Sequence, residues 1–180
     1  MEFAAVASGY SDPRAHALRE RYVRMFGGPE LPVPVESIAE DLLGLRIEER
    51  ELEWSGLLLP AERTIVLNAA ESPRHDPPLR RHRFTLAHEL GHWVCHCREG
   101  RALALEPTYC RAADIANDAD RSLEREANIF ATELLMPEAA VRAVWAELGK
   151  VEATAARLDV SPVAIGWRLF NLGLVEQKPV

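Results

Sequence analysis

At 180 residues and 20.1 kDa, the chain is the size of one ordinary domain with room for an appended helical element, which excludes two full catalytic domains. Hydrophobic residues at 48% and charged residues at 27% are the proportions of a chain that buries a core, so disordered and collagen-like architectures are excluded as well. Twenty-one Lys and Arg against 28 Asp and Glu leave a net charge of −7, which argues against phosphate-backbone binding as the main work.

The first predicted element is an amphipathic helix over residues 12–26, DPRAHALRERYVRMF, with Ala15, Leu18, Tyr22, Val23 and Phe26 at helical spacing and Gly27 and Gly28 as its stop. A rigid PELPVP connector leads into VESIAEDLLG, a short helix with Ile38, Ala39, Leu42 and Leu43 inward and Gly44 at its end. Three extended segments follow, LRIEERELE, EWSGLLLP and RTIVLN, and are expected to form a small antiparallel sheet of about three strands. Residues 71–82 read as a charged, proline-rich loop before a long helix, RFTLAHELGHWVCH. Residues 97–119 lack a period and read as loop with extended pieces. Two helices are predicted from Ser122 to Met136 and from Pro137 onward, and a helical pair closes the chain, with a turn at Asp159–Ser161, Pro162 at a helix start and Gly173 at its end. The fold class is α+β.

No apolar run approaches the about 20 residues of a membrane helix. The start, MEFAAVASGY, is acidic where a secretory signal is basic, so the protein is expected in the cytoplasm. Three cysteines, Cys95, Cys97 and Cys110, cannot all pair within one chain, so reduced thiols are expected.

His88-Glu89-Leu90-Gly91-His92 is an HExxH pattern. Two histidines four apart share one helix face and can bind one metal ion, with the glutamate beside them as a base. The bare pattern arises by chance in roughly 2% of chains of this length and composition, so its context matters. Phe84, Leu86, Ala87, Leu90, Val94 and Cys95 give this helix an apolar body, and Gly91 removes bulk beside the histidines. Zinc held by two histidines needs a third protein ligand. Arg98 stands where a metzincin would carry its third histidine. His96 continues the line of His88 and His92 along one helix, and three successive turns cannot close a tetrahedron, so a carboxylate from another helix is expected. In SLEREANIFATELLMP the apolar arc runs from Phe130 through Leu123, Leu134, Ala127 and Ala131 to Leu135. At about 100° per residue Glu124 falls inside that arc, whereas Glu126 and Glu133 fall on the solvent side. A carboxylate in an apolar stripe needs a cation, which makes Glu124 the third ligand, and Asn128 one turn on can accept from a ligand histidine's other ring nitrogen.

RFTLAHELGH and EREANIFATELLMP together resemble the ImmA/IrrE family of zinc metallopeptidases over about residues 12–140. The resemblance implies a zincin-like domain over residues 1–140 and one zinc ion held by His88, His92 and Glu124, with Glu89 catalytic. Because there is little room before residue 12, the DNA-binding domain that some relatives carry at the N-terminus is expected to be absent. The chemistry expected is peptide-bond hydrolysis, with Tyr109, His96 or His75 as the further donor to the carbonyl oxygen. By the same resemblance the partner is an XRE-type helix-turn-helix repressor, whose cleavage releases stress or mobile-element genes. Cys95-His96-Cys97 is too tightly spaced for a zinc ribbon, so Cys95 is read as core, and no role is assigned to Cys97 or Cys110. Residues 141–180 are expected to be a helical extension packed on this domain. Val151–Leu174 has helix-turn-helix proportions, which raises the alternative of a DNA- or partner-binding regulator with a structural zinc. Between residues 151 and 175, however, Arg157 and Arg168 alone stand against Glu152 and Asp159, so the helices are expected to pack rather than to read DNA.

Overall fold

The computed structural model describes residues 11–28, 31–71, 81–98, 101–102, 108–109 and 118–179, with side chains described outside 98–120. Helix α1 (Pro13–Phe26) begins where the Asp12 side chain accepts a hydrogen bond from the Arg14 amide and Pro13 takes the first turn, which lacks a partner for its N–H anyway. Ala15 and Leu18 bury its inner face, and Tyr22 is half-buried. Val23 and Phe26, expected on the same stripe, are 41% and 49% exposed, because the helix runs past the edge of the core. Helix α2 (Val35–Ser37) widens into a π-helical turn at Ile38–Leu42, with Ile38, Ala39 and Leu42 buried as expected. Gly44, at φ 63°, takes the left-handed position that ends it, and Leu45 joins the core beyond.

The sheet has the order β1 (Arg46–Arg50), β3 (Thr64–Asn68), β2 (Gly56–Leu59), β6 (Thr108–Tyr109). Strands β2 and β3 form an antiparallel hairpin, closed by a 3-10 turn at Pro60–Glu62 and by Arg63 in the left-handed region at φ 52°. β1 pairs with β3 in parallel, so the sheet is mixed where an antiparallel one was expected. The tight hairpin takes one edge of β3, and the edge left for β1 is met running in the same direction. All five residues of β3 are buried, as suits a central strand whose run of apolar and β-branched residues is covered on both faces. β6 adds a fourth, two-residue strand against Leu57 and Leu58, and β4 (Cys97–Arg98) pairs with β5 (Arg101–Ala102) in a separate ribbon. The extended pieces expected after residue 97 are these.

Helix α3 (Arg81–His96) packs on β2 and β3 and, far more extensively, on α4 (Asp118–Leu135). Leu86, Ala87 and Leu90 meet Phe130, Ala131 and Leu134 in a core where each is fully buried, and each large side chain contributes about 1.5–3 kcal/mol. Gly91 sets the closeness of this crossing: a Cβ there would stand 2.9 Å from both Cα and O of Ala127. Helices α5 (Glu138–Leu148), α6 (Val151–Leu158) and α7 (Pro162–Asn171) complete the chain, with Gly149 and Asp159 left-handed at the first two ends and Ser161 capping α7 through the Ala164 amide. Among the described residues no helix is long and apolar enough to cross a membrane.

The return of α7 onto α4 corrects the sequence reading of Glu133. Its side chain, expected to face solvent, is 6% exposed. Arg168, itself 2% exposed, makes a short ion pair to Glu133 and donates from Nε to the Met136 carbonyl at 3.0 Å. Arg19 from α1 donates to the Glu133 backbone carbonyl at 2.6 Å and lies 4.0 Å from its carboxylate. The helical wheel of α4 knows only α4, and the α7 cover arrives from 35 residues further on.

Candidate metal centre

The close α3–α4 crossing permitted by Gly91 brings the C-terminal half of α3 against the N-terminal half of α4. His88, buried and 6% exposed, and His92, 2% exposed, project from adjacent turns of α3. Their Nε2 atoms lie 3.0 Å apart, and Glu124 of α4 faces both, with carboxylate oxygens 3.2 Å from His88 Nε2 and 3.0 Å from His92 Nε2. One ligand atom from each of the three residues lies within 4.8 Å of the others. Two imidazole nitrogens and a carboxylate oxygen converging on one point are a donor set that can hold a metal ion. Burial disfavours charge on Glu124, but hydrogen bonds from His88 and His92, together with their charges, outweigh it and hold the carboxyl down at about 2. For His88 burial works against protonation and is outweighed by Glu124, Glu89 and Asn128, so its pKa is raised.

The other face of His88 is fixed: its Nδ1 lies 3.1 Å from the Asn128 amide oxygen, the contact expected from the sequence. Glu126 is 46% exposed, on the side where the helical wheel puts it. Glu89 is fully buried, and its charge reaches His88. The sequence reading missed what lies against it. Gly56 opens β2 with so little space that a Cβ would stand 2.9 Å from Glu89 Oε1 and 2.6 Å from Thr85 Cγ2. A glycine within a strand-forming run is the signal that marks such a close approach.

His96 lies one turn beyond His92, with its Nδ1 3.1 Å from His92 Nδ1 and its Nε2 3.6 Å from Glu126 Oε2. Tyr109 is backbone-paired with Leu57, next to Gly56. His75 and Cys110 lie outside the described residues. Cys95 and Cys97 are free, half-buried thiols, and burial pushes Cys95 up to about 12, as befits a packing residue that stays neutral.

From Glu124 a cleft of about 610 Å³ runs along α4 to α7, lined by Phe84, Asn128, Thr132, Trp167 and Asn171 among others. It meets the three converging side chains at Glu124.

No curated protein matches the chain. A protein family described as the IrrE N-terminal-like domain matches residues 40–170, a span that takes in the sheet, both site helices and most of α7. With that match over most of its length, the chain belongs to the IrrE N-terminal-like family of peptidases.

Proposed function

We propose that this protein is a zinc-dependent endopeptidase that cleaves an XRE-type helix-turn-helix repressor in the cytoplasm. The observation that carries the reading is the convergence of His88, His92 and Glu124 on one point beside a fully buried Glu89. His88, His92 and Glu124 would hold the ion, one per chain, and Asn128 would accept from His88 and fix its ring. A zinc ion there supplies a Lewis acid and brings the pKa of water down to about 7. Glu89, pressed between α3 and Gly56, would take the proton of the attacking water and pass it to the leaving nitrogen. Among the candidate donors to the carbonyl oxygen, His96 is turned to His92 and Glu126, which leaves that role to His75 or to Tyr109, whose strand pairs with Leu57 beside Gly56.

The cleft from Glu124 to Trp167 would receive an extended linker of the repressor, and the net charge of −7 would draw in a basic, DNA-binding partner by an attraction that weakens with salt. We read residues 141–180 as a helical extension packed on a metallopeptidase domain of residues 1–140. Burial of Arg168 against Glu133 supports packing over DNA reading, because it removes one of the two basic residues between 151 and 175 from any groove.

The test is co-incubation of the zinc-loaded protein with XRE-type repressors of the same genome. Wild type is expected to cut one of them at a single linker. Glu89→Gln is expected to fold, bind zinc and lose about 10²–10⁴-fold in cleavage. Cleavage by Glu89→Gln within a fewfold of wild type would return the site to a structural role, and free degradation of unrelated unfolded proteins would replace the dedicated substrate with a general one.

A further inference from the structure

The two histidines of the site are backed differently. His88 ends its outer contacts at once, on the Asn128 amide 3.1 Å away. His92 instead meets a second histidine, and behind that stand a carboxylate and an arginine. His92 Nδ1 lies 3.1 Å from His96 Nδ1, His96 Nε2 lies 3.6 Å from Glu126 Oε2, and Glu126 Oε2 lies 3.3 Å from Arg14 Nη2. Arg14 is in turn clamped by Asp12, the cap of α1, at 2.7 Å and 3.0 Å.

The proton positions along this line follow from the proposed ligation, on which this inference rests. An imidazole that offers its Nε2 lone pair to a metal carries its hydrogen on Nδ1. Two ring nitrogens 3.1 Å apart cannot both present lone pairs or both present hydrogens, so His92 Nδ1–H donates and His96 Nδ1 accepts. His96 must then carry its own hydrogen on Nε2, the atom turned to the Glu126 carboxylate. At 3.6 Å that last contact is an electrostatic one rather than a formed hydrogen bond. Every link therefore points the same way, from the metal side toward the negative charge of Glu126, which Arg14 and Asp12 hold in place.

We propose that His96, with Glu126 and Arg14 behind it, is a positioning relay that fixes the ring and tautomer of His92 for metal binding. His96 touches neither substrate nor reacting atoms in this role. The relay also ties the site to the first turn of α1, since Asp12 and Arg14 lie before the residues 40–170 that match the family. Groups that orient a metal-bound imidazole in this way raise its basicity and its affinity, and their loss typically costs about 10–100-fold in metal binding.

The experiment is zinc affinity of the full chain, measured by competition with a chromophoric chelator. His96→Leu keeps an apolar body of similar bulk and is expected to bind zinc about 10–100-fold more weakly. His96→Gln, whose amide oxygen can accept from His92 and whose amide nitrogen can face Glu126, is expected to stay within a fewfold of wild type. Glu126→Ala should keep its metal with a smaller, severalfold loss. In the zinc-loaded wild type, nitrogen-15 NMR of the histidine rings should find the His96 proton on Nε2 and its Nδ1 bare, a readout that depends on no variant folding. Wild-type affinity in His96→Leu, or a His96 proton on Nδ1, overturns the relay. His92→Ala separates the two levels: if it loses zinc while His96→Leu does not, the relay alone fails, and if it keeps full affinity the ligand reading fails with it.

Discussion

The two halves of α4 hold two enclosed carboxylates, Glu124 with a side chain 17% exposed and Glu133 with one 8% exposed, and they are satisfied in opposite ways. Glu133, at the C-terminal end, is closed in by Arg168 and Arg19, permanent cations supplied by the chain itself. Glu124, in the N-terminal half, faces the Nε2 atoms of His88 and His92, groups that carry charge only when protonated. A buried carboxylate costs several kcal/mol unless its charge is matched. Where the chain provides an arginine the match is complete and the pair is structural. Where it provides two imidazoles converging on the same point, a metal ion held among them can supply the matching charge. The difference explains why one end of a single helix is a latch and the other a candidate metal centre.

The largest effect should come from exchanging the same residue at the two ends. Glu124→Ala is expected to take bound zinc from one ion per chain to none, since two histidines alone make too few ligands for a stable site. Glu133→Ala should retain the full ion and lose stability instead. Elemental analysis of the two purified variants checks this, and a metal-free Glu133→Ala beside a loaded Glu124→Ala would invert the comparison.

Gly91→Ala strikes the crossing that brings Glu124 to α3. The added Cβ would stand 2.9 Å from the backbone of Ala127, and backbone cannot rotate away as a side chain can. Helix α4 must shift, at about 1–3 kcal/mol of stability, and Glu124, three residues from the contact, moves with it. Weaker zinc binding together with a lower Tm is expected. A variant with wild-type affinity would mean that the site tolerates more movement than its distances imply.

How far this comparison could be read beforehand depends on where the partners come from. His88 and His92 stand on adjacent turns of α3 beside Glu89, and Glu124 and Asn128 share one stripe of α4, so spacing alone was enough to place them together. The antiparallel pairing of β2 with β3 was expected as well, because extended segments that follow each other so closely in the chain fold back on one another. Glu133 was misplaced because its cation arrives on α7, which no periodicity within α4 reports. The parallel pairing of β1 with β3 was missed for a similar reason, since strand direction is set by the path of the whole chain. Gly56 carried a signal in its position within a strand, but its neighbour Glu89 belongs to a helix 33 residues away, and only the packing of α3 on the sheet brings them together.

The latch itself gives a purely structural effect of intermediate size. Arg168→Met leaves Glu133 with the more distant Arg19 as its remaining cation and should cost about 3–5 kcal/mol, the usual result of breaking a buried pair from one side. The double variant Arg168→Met, Glu133→Leu removes both charges and should recover most of that loss. Denaturant midpoints of the two proteins measure it, and zinc stoichiometry should stay at one in each. Equal destabilisation in the single and double variants would mean that the packing of α7, and not the charge pair, fastens it to α4.

The smallest effect calibrates the others, because it comes from the same chemistry in water. Glu138 and Arg142 form an ion pair of 2.8 Å, four residues apart on α5, with side chains 37% and 45% exposed. Solvent screens their attraction, and holding two long side chains in place costs entropy, so the pair contributes about 0.3–0.5 kcal/mol. Glu138 also sits in the first turn of α5, where a negative charge meets the positive end of the helix dipole and adds about 0.3–1 kcal/mol at low salt. Glu138→Gln keeps the shape and removes both contributions. It should lower stability by no more than about 1 kcal/mol at low ionic strength, and the loss should shrink toward zero in 1 M salt, where the screening length is about 3 Å. Salt should leave the Arg168→Met loss nearly unchanged, since ions do not reach a pair with 1% and 8% side-chain exposure. Parallel chemical denaturation by urea at two salt concentrations separates the cases. A Glu138→Gln loss as large and as salt-independent as that of Arg168→Met would show that burial is not what distinguishes the charges of α4 from those of the surface.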